Sequence, residues 1–205
     1  LVSQFSQQFS QVEPSIRIEE SAAVVAGLLD RDADIGFTGT SIPHPKLTQL
    51  VVARDEMVLL VPTSHPFAER KTISIPELAG QPVIERQGDT HTVLTLMRTL
   101  RKRGFEPPAY RGVMVVNSTQ AIVSAIQRGY GIGFVSSLAL EDLPPRRVRV
   151  VRLEELQIRR LIYMVHLRDG GFPPQVSEFI AFVRRVTAAA RRRAQTDEPI
   201  AGDFG

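Results

Sequence analysis

Two apolar periods alternate along this chain, and the alternation restricts it to a fold that takes strands and helices in turn. Val2, Phe5, Phe9 and Val12 recur at helical spacing until Pro14. Ile16 and Ile18 then alternate with charged neighbours and read as a short strand. A second helix carries Val24, Val25, Leu28 and Leu29 on one face, and residues 33–37 form the next strand, broken by Thr38-Gly39-Thr40. Residues 56–61 are nearly all apolar, the pattern of a strand covered on both faces, and Pro62 and Pro66 close it.

The same alternation continues. Ser74-Ile75-Pro76-Glu77 is a capping-box pattern that predicts a short helix. Residues 82–86 read as a strand. A helix over about 92–103 shows Val93, Met97 and Leu100 before Gly104 at its end. Residues 110–116 form a strand, after which Ser118 can cap a helix carrying Ala121, Ile122, Ala125 and Ile126. Gly129 ends that helix, and residues 132–135 make a buried strand. Strands over 148–153 and 161–167 follow, then a last helix with Val176, Phe179, Ile180 and Val183 on one face. From residue 188 onward small, charged and turn-forming residues predict a disordered tail. The expected class is α/β, with parallel sheets and helices on their faces.

Composition narrows the function. The 205 residues include no cysteine, which excludes disulfides, thiolate metal sites and cysteine nucleophiles. No apolar run approaches the roughly 18 residues of a membrane helix, so a soluble protein without membrane contact is expected. Net charge is only +3, and its arginine clusters are interleaved with acidic residues as on solvated faces, not with the aromatics of a nucleic-acid surface.

No catalytic constellation is apparent. His44, His65, His91 and His166 lie far apart, and no pair has the spacing of a zinc site. His44 and His65 precede prolines and suggest turns, whereas His91 lies in a polar segment between a strand and a helix, open to a solvent or a pocket role. No serine sits in a G-x-S-x-G elbow. Gly129-Tyr130-Gly131-Ile132-Gly133 ends a helix and enters a strand, the reverse of a dinucleotide-binding loop, and reads as a tight turn.

What remains is a recurrence of hydroxyls and amides just past strand ends: Thr38, Thr40, Thr63, Thr90, Asn117 with Ser118 and Thr119, and Ser136 with Ser137. Each alone can be a helix cap. Their recurrence at the same end of successive strands is more telling, because a sheet would gather them on one rim, and that rim suits a small polar or anionic ligand held without chemistry. No cofactor and no metal are expected.

Several segments carry a resemblance. Asp34-Ile35-Gly36-Phe37, the run from Asp55-Glu56-Met57 to Val61-Pro62, His65-Pro66-Phe67-Ala68 and Ile75-Pro76-Glu77-Leu78 resemble the effector-binding domain of LysR-type transcriptional regulators. Asn117-Ser118-Thr119-Gln120-Ala121-Ile122 and Gly129-Tyr130-Gly131-Ile132-Gly133-Phe134 agree, and the likeness spans about residues 1–187. It implies two Rossmann-like lobes of type 2 periplasmic-binding-protein kind, joined by two crossover segments. One lobe would hold residues 1–66 and 161–187, the other 67–160, with 188–205 as the tail.

By that resemblance a small-molecule effector would bind between the lobes, at Thr38, Thr63, Thr90, His91, Asn117, Ser118, Thr119 and Ser136. The protein would be a cytoplasmic homo-oligomer and not an enzyme. It would reach DNA only through an N-terminal DNA-binding domain absent from this chain, and the strand and hydroxyl-bearing loop that precede the first helix in relatives are absent too. The alternative is a solute-binding protein of a transport system, on the same fold. Third is an enzyme such as a prephenate dehydratase, for which no catalytic set is present, or a porphobilinogen-polymerising synthase, whose cofactor needs a cysteine.

Overall fold

The computed structural model describes residues 1–86, 100–101, 104, 111–116, 118–140 and 147–196, without the side chains of 191–196. Their helices are α1 (Val2–Gln8), α2 (Ser21–Leu29), α3 (Thr119–Gln127) and α4 (Pro174–Thr196). Their strands are β1 (Ile35–Thr38), β2 (Leu47–Pro62), β3 (Thr72–Ile73), β4 (Pro82–Arg86), β5 (Arg111–Val116), β6 (Gly133–Ser136), β7 (Val148–Leu153) and β8 (Ile158–Leu167). Two compact units result, Leu1–Arg54 with Leu161–Gly205, and Asp55–Arg160. The boundary at Arg54 falls inside β2, where the sequence reading placed it after that strand, at residue 66.

In the first unit β1 pairs antiparallel with β8, Ile35 opposite His166 and Thr38 opposite Tyr163, and β8 neighbours β2. The period of two then sorts side chains onto two faces. Met164, Ile35, Leu50 and Val52 face α1 and α4, where Phe5 meets Phe179 edge-on at 5.0 Å. Val165, Leu167 and Leu47 face α2, packing on Leu28, Val24 and Val25. The approach of α2 explains the glycine between Ile35 and Phe37: a Cβ on Gly36 would lie 2.3 Å from Cγ1 of Val24.

In the second unit the apolar run of β2 divides as expected for a strand buried on both sides. Met57, Leu59 and Val61 enter one cluster with Ile73, Leu78, Val151 and Leu153, while Val58 and Leu60 enter another with Ile122, Ile126 and Val135. Leu59, Leu60 and Val61 have no exposed surface. Truncating such a leucine to alanine costs about 3 kcal/mol, through lost transfer energy and the cavity left behind. β6 and β7 flank β2, both antiparallel to it, and β3 pairs parallel with β7. β4 and β5 pair parallel, and β4 bridges in parallel to Ile132 at the entry to β6.

The glycine-rich turn has a packing cause. Gly129 follows α3 with φ +79, a left-handed conformation that glycine adopts freely. A Cβ on Gly131 would stand 2.5 Å from the carbonyl oxygen of Pro82, because β4 runs directly alongside. No nucleotide loop is involved.

Four expectations give way. The first helix stops at Gln8, although Phe9 and Val12 still pack on its cluster. Ile16 and Ile18 form no strand and are 68% and 73% exposed, since no neighbouring strand is there to bond them. The six-stranded sheet is mixed, because β2 and β8 run against their neighbours β6, β7 and β1, and of the described strands only β4 and β5 form a sheet that is parallel as expected. The last helix continues to Thr196, its alanines and arginines being good helix formers. Of the helix expected at 92–103, only Leu100 and Arg101 are described.

Candidate functional site

The directions of β4, β5 and β6 set one rim of the second unit. The register of Arg86 with Val116, and of Val83 with Ile132, brings their carboxyl ends to the same side. Ser118 follows β5 as N-cap of α3, its Oγ accepting from the Ala121 N–H at 3.2 Å. Thr119 opens the helix, half-buried. The first N–H groups of a helix have no acceptor inside it and lie at the positive end of its dipole, so they favour an anion. Ser136 ends β6 on this rim, opposite Met57.

Because β2 is antiparallel to β6, its first residues in this unit reach the same place. Oδ1 of Asp55 accepts from Ser136 Oγ at 2.8 Å and from Ser137 Oγ at 3.3 Å. Oδ2 of Asp55 accepts from Arg160 Nε at 2.7 Å. Ser137 Oγ also accepts from the Glu56 N–H at 3.3 Å. The Asp55 side chain has no exposed surface and that of Arg160 is 29% exposed. This buried carboxylate thus spends both oxygens on groups that sequence places 81, 82 and 105 residues away.

Sequence reasoning missed Asp55 and Arg160, since nothing local marks either. The sequence offers Ser136 as a hydroxyl open to a ligand; in the structure that hydroxyl donates to Asp55.

The other expected residues fall as follows. Thr63 does not share the rim: it lies beyond the far end of β2, six residues past Met57 and therefore about 20 Å away along the strand. Its N–H donates to the Arg147 carbonyl at 3.1 Å. The one-rim expectation assumed parallel strands, and β2 is antiparallel. Thr38 belongs to the first unit, is 2% exposed, and donates from Oγ1 to the Thr40 carbonyl at 2.9 Å. Thr90, His91 and Asn117 lie outside the described residues.

His65 is structural. Its Nδ1 accepts from the Phe67 N–H and its Nε2 lies 3.2 Å from Gln81 Oε1. Burial lowers its pKa, with the Gln81 bond opposing. Among the described residues no group of three or more histidines and carboxylates could hold a metal ion, and no helix is long and apolar enough to cross a membrane.

The two-unit α/β fold has parallels among known proteins. The sequence pattern of the LysR substrate binding domain matches residues 1–188. This chain belongs to that family. It is a LysR-type effector-binding domain, and the family is one of regulatory domains rather than of enzymes. An uncharacterized HTH-type transcriptional regulator of Methanocaldococcus jannaschii is 25% identical over 91% of this chain. The match covers 63% of that regulator, and the chain spans about half to two thirds of the length of the transcriptional regulators it matches.

Two solved LysR-family domains share the fold. The regulatory domain of Synechocystis PCC6803 CcmR, in complex with 2-PG, gives a TM-score of 0.76 at 20% identity over 91% of this chain and 88% of that one. The effector-binding domain of QuiR, in complex with shikimate, gives 0.73 at 20% identity over 92% and 90%. The regulators among the relatives favour a LysR sensor over a transporter's solute-binding protein.

Proposed function

We propose that the domain senses a small polar or anionic effector at the rim holding Ser118, Thr119 and Ser136, and reports it to a DNA-reading part of a longer, cytoplasmic regulator. The observation that carries this is the parallel run of β4, β5 and β6, which delivers the N-terminus of α3, with Ser118 and Thr119, and the end of β6 at Ser136 to one side. Such a rim offers the first N–H groups of α3 and the hydroxyl hydrogens of Ser118 and Thr119 as donors, with Ser136 Oγ left to accept because its hydrogen goes to Asp55, and it calls for a ligand rich in acceptors. The two solved relatives are complexes with 2-PG and with shikimate, which supports a small-molecule effector.

Reporting requires that the effector bind two arrangements of the protein unequally, since equal affinity shifts nothing. Self-association supplies the second arrangement, and sedimentation at rising concentration should reveal dimers or tetramers. Persistence of monomer at high concentration would contradict that part.

The binding claim is tested by thermal shift. 2-PG, shikimate and a panel of organic and inorganic anions are screened against the 205-residue chain. At least one should raise the melting temperature, and Ser118→Ala should reduce that rise while Ser118→Thr retains it. A panel without effect, or an undiminished rise in the Ser118→Ala variant, would overturn the assignment.

A further inference from the structure

We infer that the first unit carries a second, separate binding site, for a small organic carboxylate, between the loop around His44 and Arg168. An open cavity of about 590 Å³ lies there, bordered by Pro43, His44, Pro45, Thr48 and Arg168. That volume falls within the range of small-molecule sites. The place is remote from the other candidate contact of this unit. Thr38 pairs with Tyr163, and Arg168 lies five residues further on, just past the end of β8 and about 17 Å away.

The polar groups are held in place before any ligand arrives. The Lys46 N–H donates to Nδ1 of His44 at 3.2 Å, which leaves the proton of a neutral ring on Nε2 and makes that nitrogen a donor. The Leu47 N–H donates to the His44 carbonyl at 3.0 Å, fixing the same residue from its backbone. The Gln49 side chain clamps the loop at Ile42, accepting from its N–H at 3.0 Å and donating to its carbonyl at 2.9 Å. Pro43 and Pro45 stiffen the loop further by fixing φ. Across the cavity the Arg168 N–H donates to the Lys46 carbonyl at 2.8 Å, and Nη2 reaches the Leu47 carbonyl at 3.4 Å.

The result is a guanidinium, an imidazole N–H and a threonine hydroxyl beside two proline rings. Arginine pairs with a carboxylate through paired N–H donors, and the proline rings offer an apolar wall to the body of the acid. A neutral or cationic ligand would find donors but few acceptors here. A loop so constrained loses little freedom when a ligand binds, so even a small acid is retained.

The test is an amide NMR titration of the 205-residue chain with benzoate, with benzamide as its uncharged counterpart. Benzoate should give saturable shifts at the amides of His44, Leu47, Thr48 and Arg168, with affinity in the millimolar range, and benzamide should bind distinctly more weakly. Arg168→Gln, at an exposed position, should weaken benzoate roughly tenfold and leave benzamide unchanged. Shifts confined to Ser118 and Ser136, equal binding of the two probes, or unaltered benzoate affinity in the Arg168→Gln protein would each overturn the site.

Discussion

Arg160 donates from Nε to Oδ2 of Asp55 at 2.7 Å, tying the last residue of the second unit to its first. The pair is asymmetric. The guanidinium can turn toward water, whereas the carboxylate has no exposed surface and depends on Arg160 and two serine hydroxyls.

That asymmetry makes removal of the cation the costly change. Arg160→Ala should lower the unfolding free energy by about 3 kcal/mol, because a buried carboxylate loses its charged partner. The Asp55→Ala, Arg160→Ala double variant should recover part of this loss. Urea denaturation gives both values. A loss below about 1 kcal/mol for Arg160→Ala would mean that the pair behaves like an exposed one.

Glu77 provides a pH signature. Its carboxylate accepts from the backbone N–H of Ser74 at 2.8 Å and the Ser74 hydroxyl at 3.0 Å, and it pairs with Arg70 through both oxygens. The Arg70 bond, then those from Ser74, lower its pKa from 4.5 to about 2. A carboxyl whose folded pKa is depressed adds stability above its unfolded value, and that stability is lost as pH falls through the folded one. Glu77→Gln should therefore melt at lower temperature than the parent above pH 4.5, with the gap closing as pH approaches about 2. Melting curves across that range check it; a gap that stays constant would contradict it.

The two glycines after α3 should fail differently. Gly129→Ala meets no neighbour and suffers only its positive φ, a cost of about 1 kcal/mol. Gly131→Ala pushes a methyl group against the Pro82 carbonyl oxygen and should cost at least about 2 kcal/mol, because two backbones must part. Equal costs in denaturant would show that the close approach can relax.

These contrasts mark what the sequence makes legible. Local patterns reach the structure intact: the buried run of β2, the Ser74–Glu77 pairing, Ser118 as a cap, and the helical face of Val176, Phe179, Ile180 and Val183. Strand direction is not local. Nothing within residues 56–61 announces that β2 runs against β6, and so the sequence pattern alone groups Thr63 with a rim it does not reach. The Ile16–Ile18 alternation is real, but a strand needs a neighbour to bond, and none pairs with it. Asp55 and Arg160 share no motif, being joined only by folding.

Ser118 is the N-cap of α3, apart from the binding role proposed for it. As N-cap it should contribute about 1 kcal/mol to the free protein, so Ser118→Ala should unfold earlier in urea even without ligand. An unchanged midpoint would mean that solvent replaces the hydroxyl at the Ala121 N–H.

The most direct test of the account is to map, by amide NMR, the ligand that gives the largest thermal shift. The largest changes are predicted at Ser118, Thr119 and Gln120 and at Ser136 and Ser137, and Ser118→Ala should shift their saturation to higher ligand concentration. Saturable changes that leave these residues untouched would contradict the claim that this rim is the effector site.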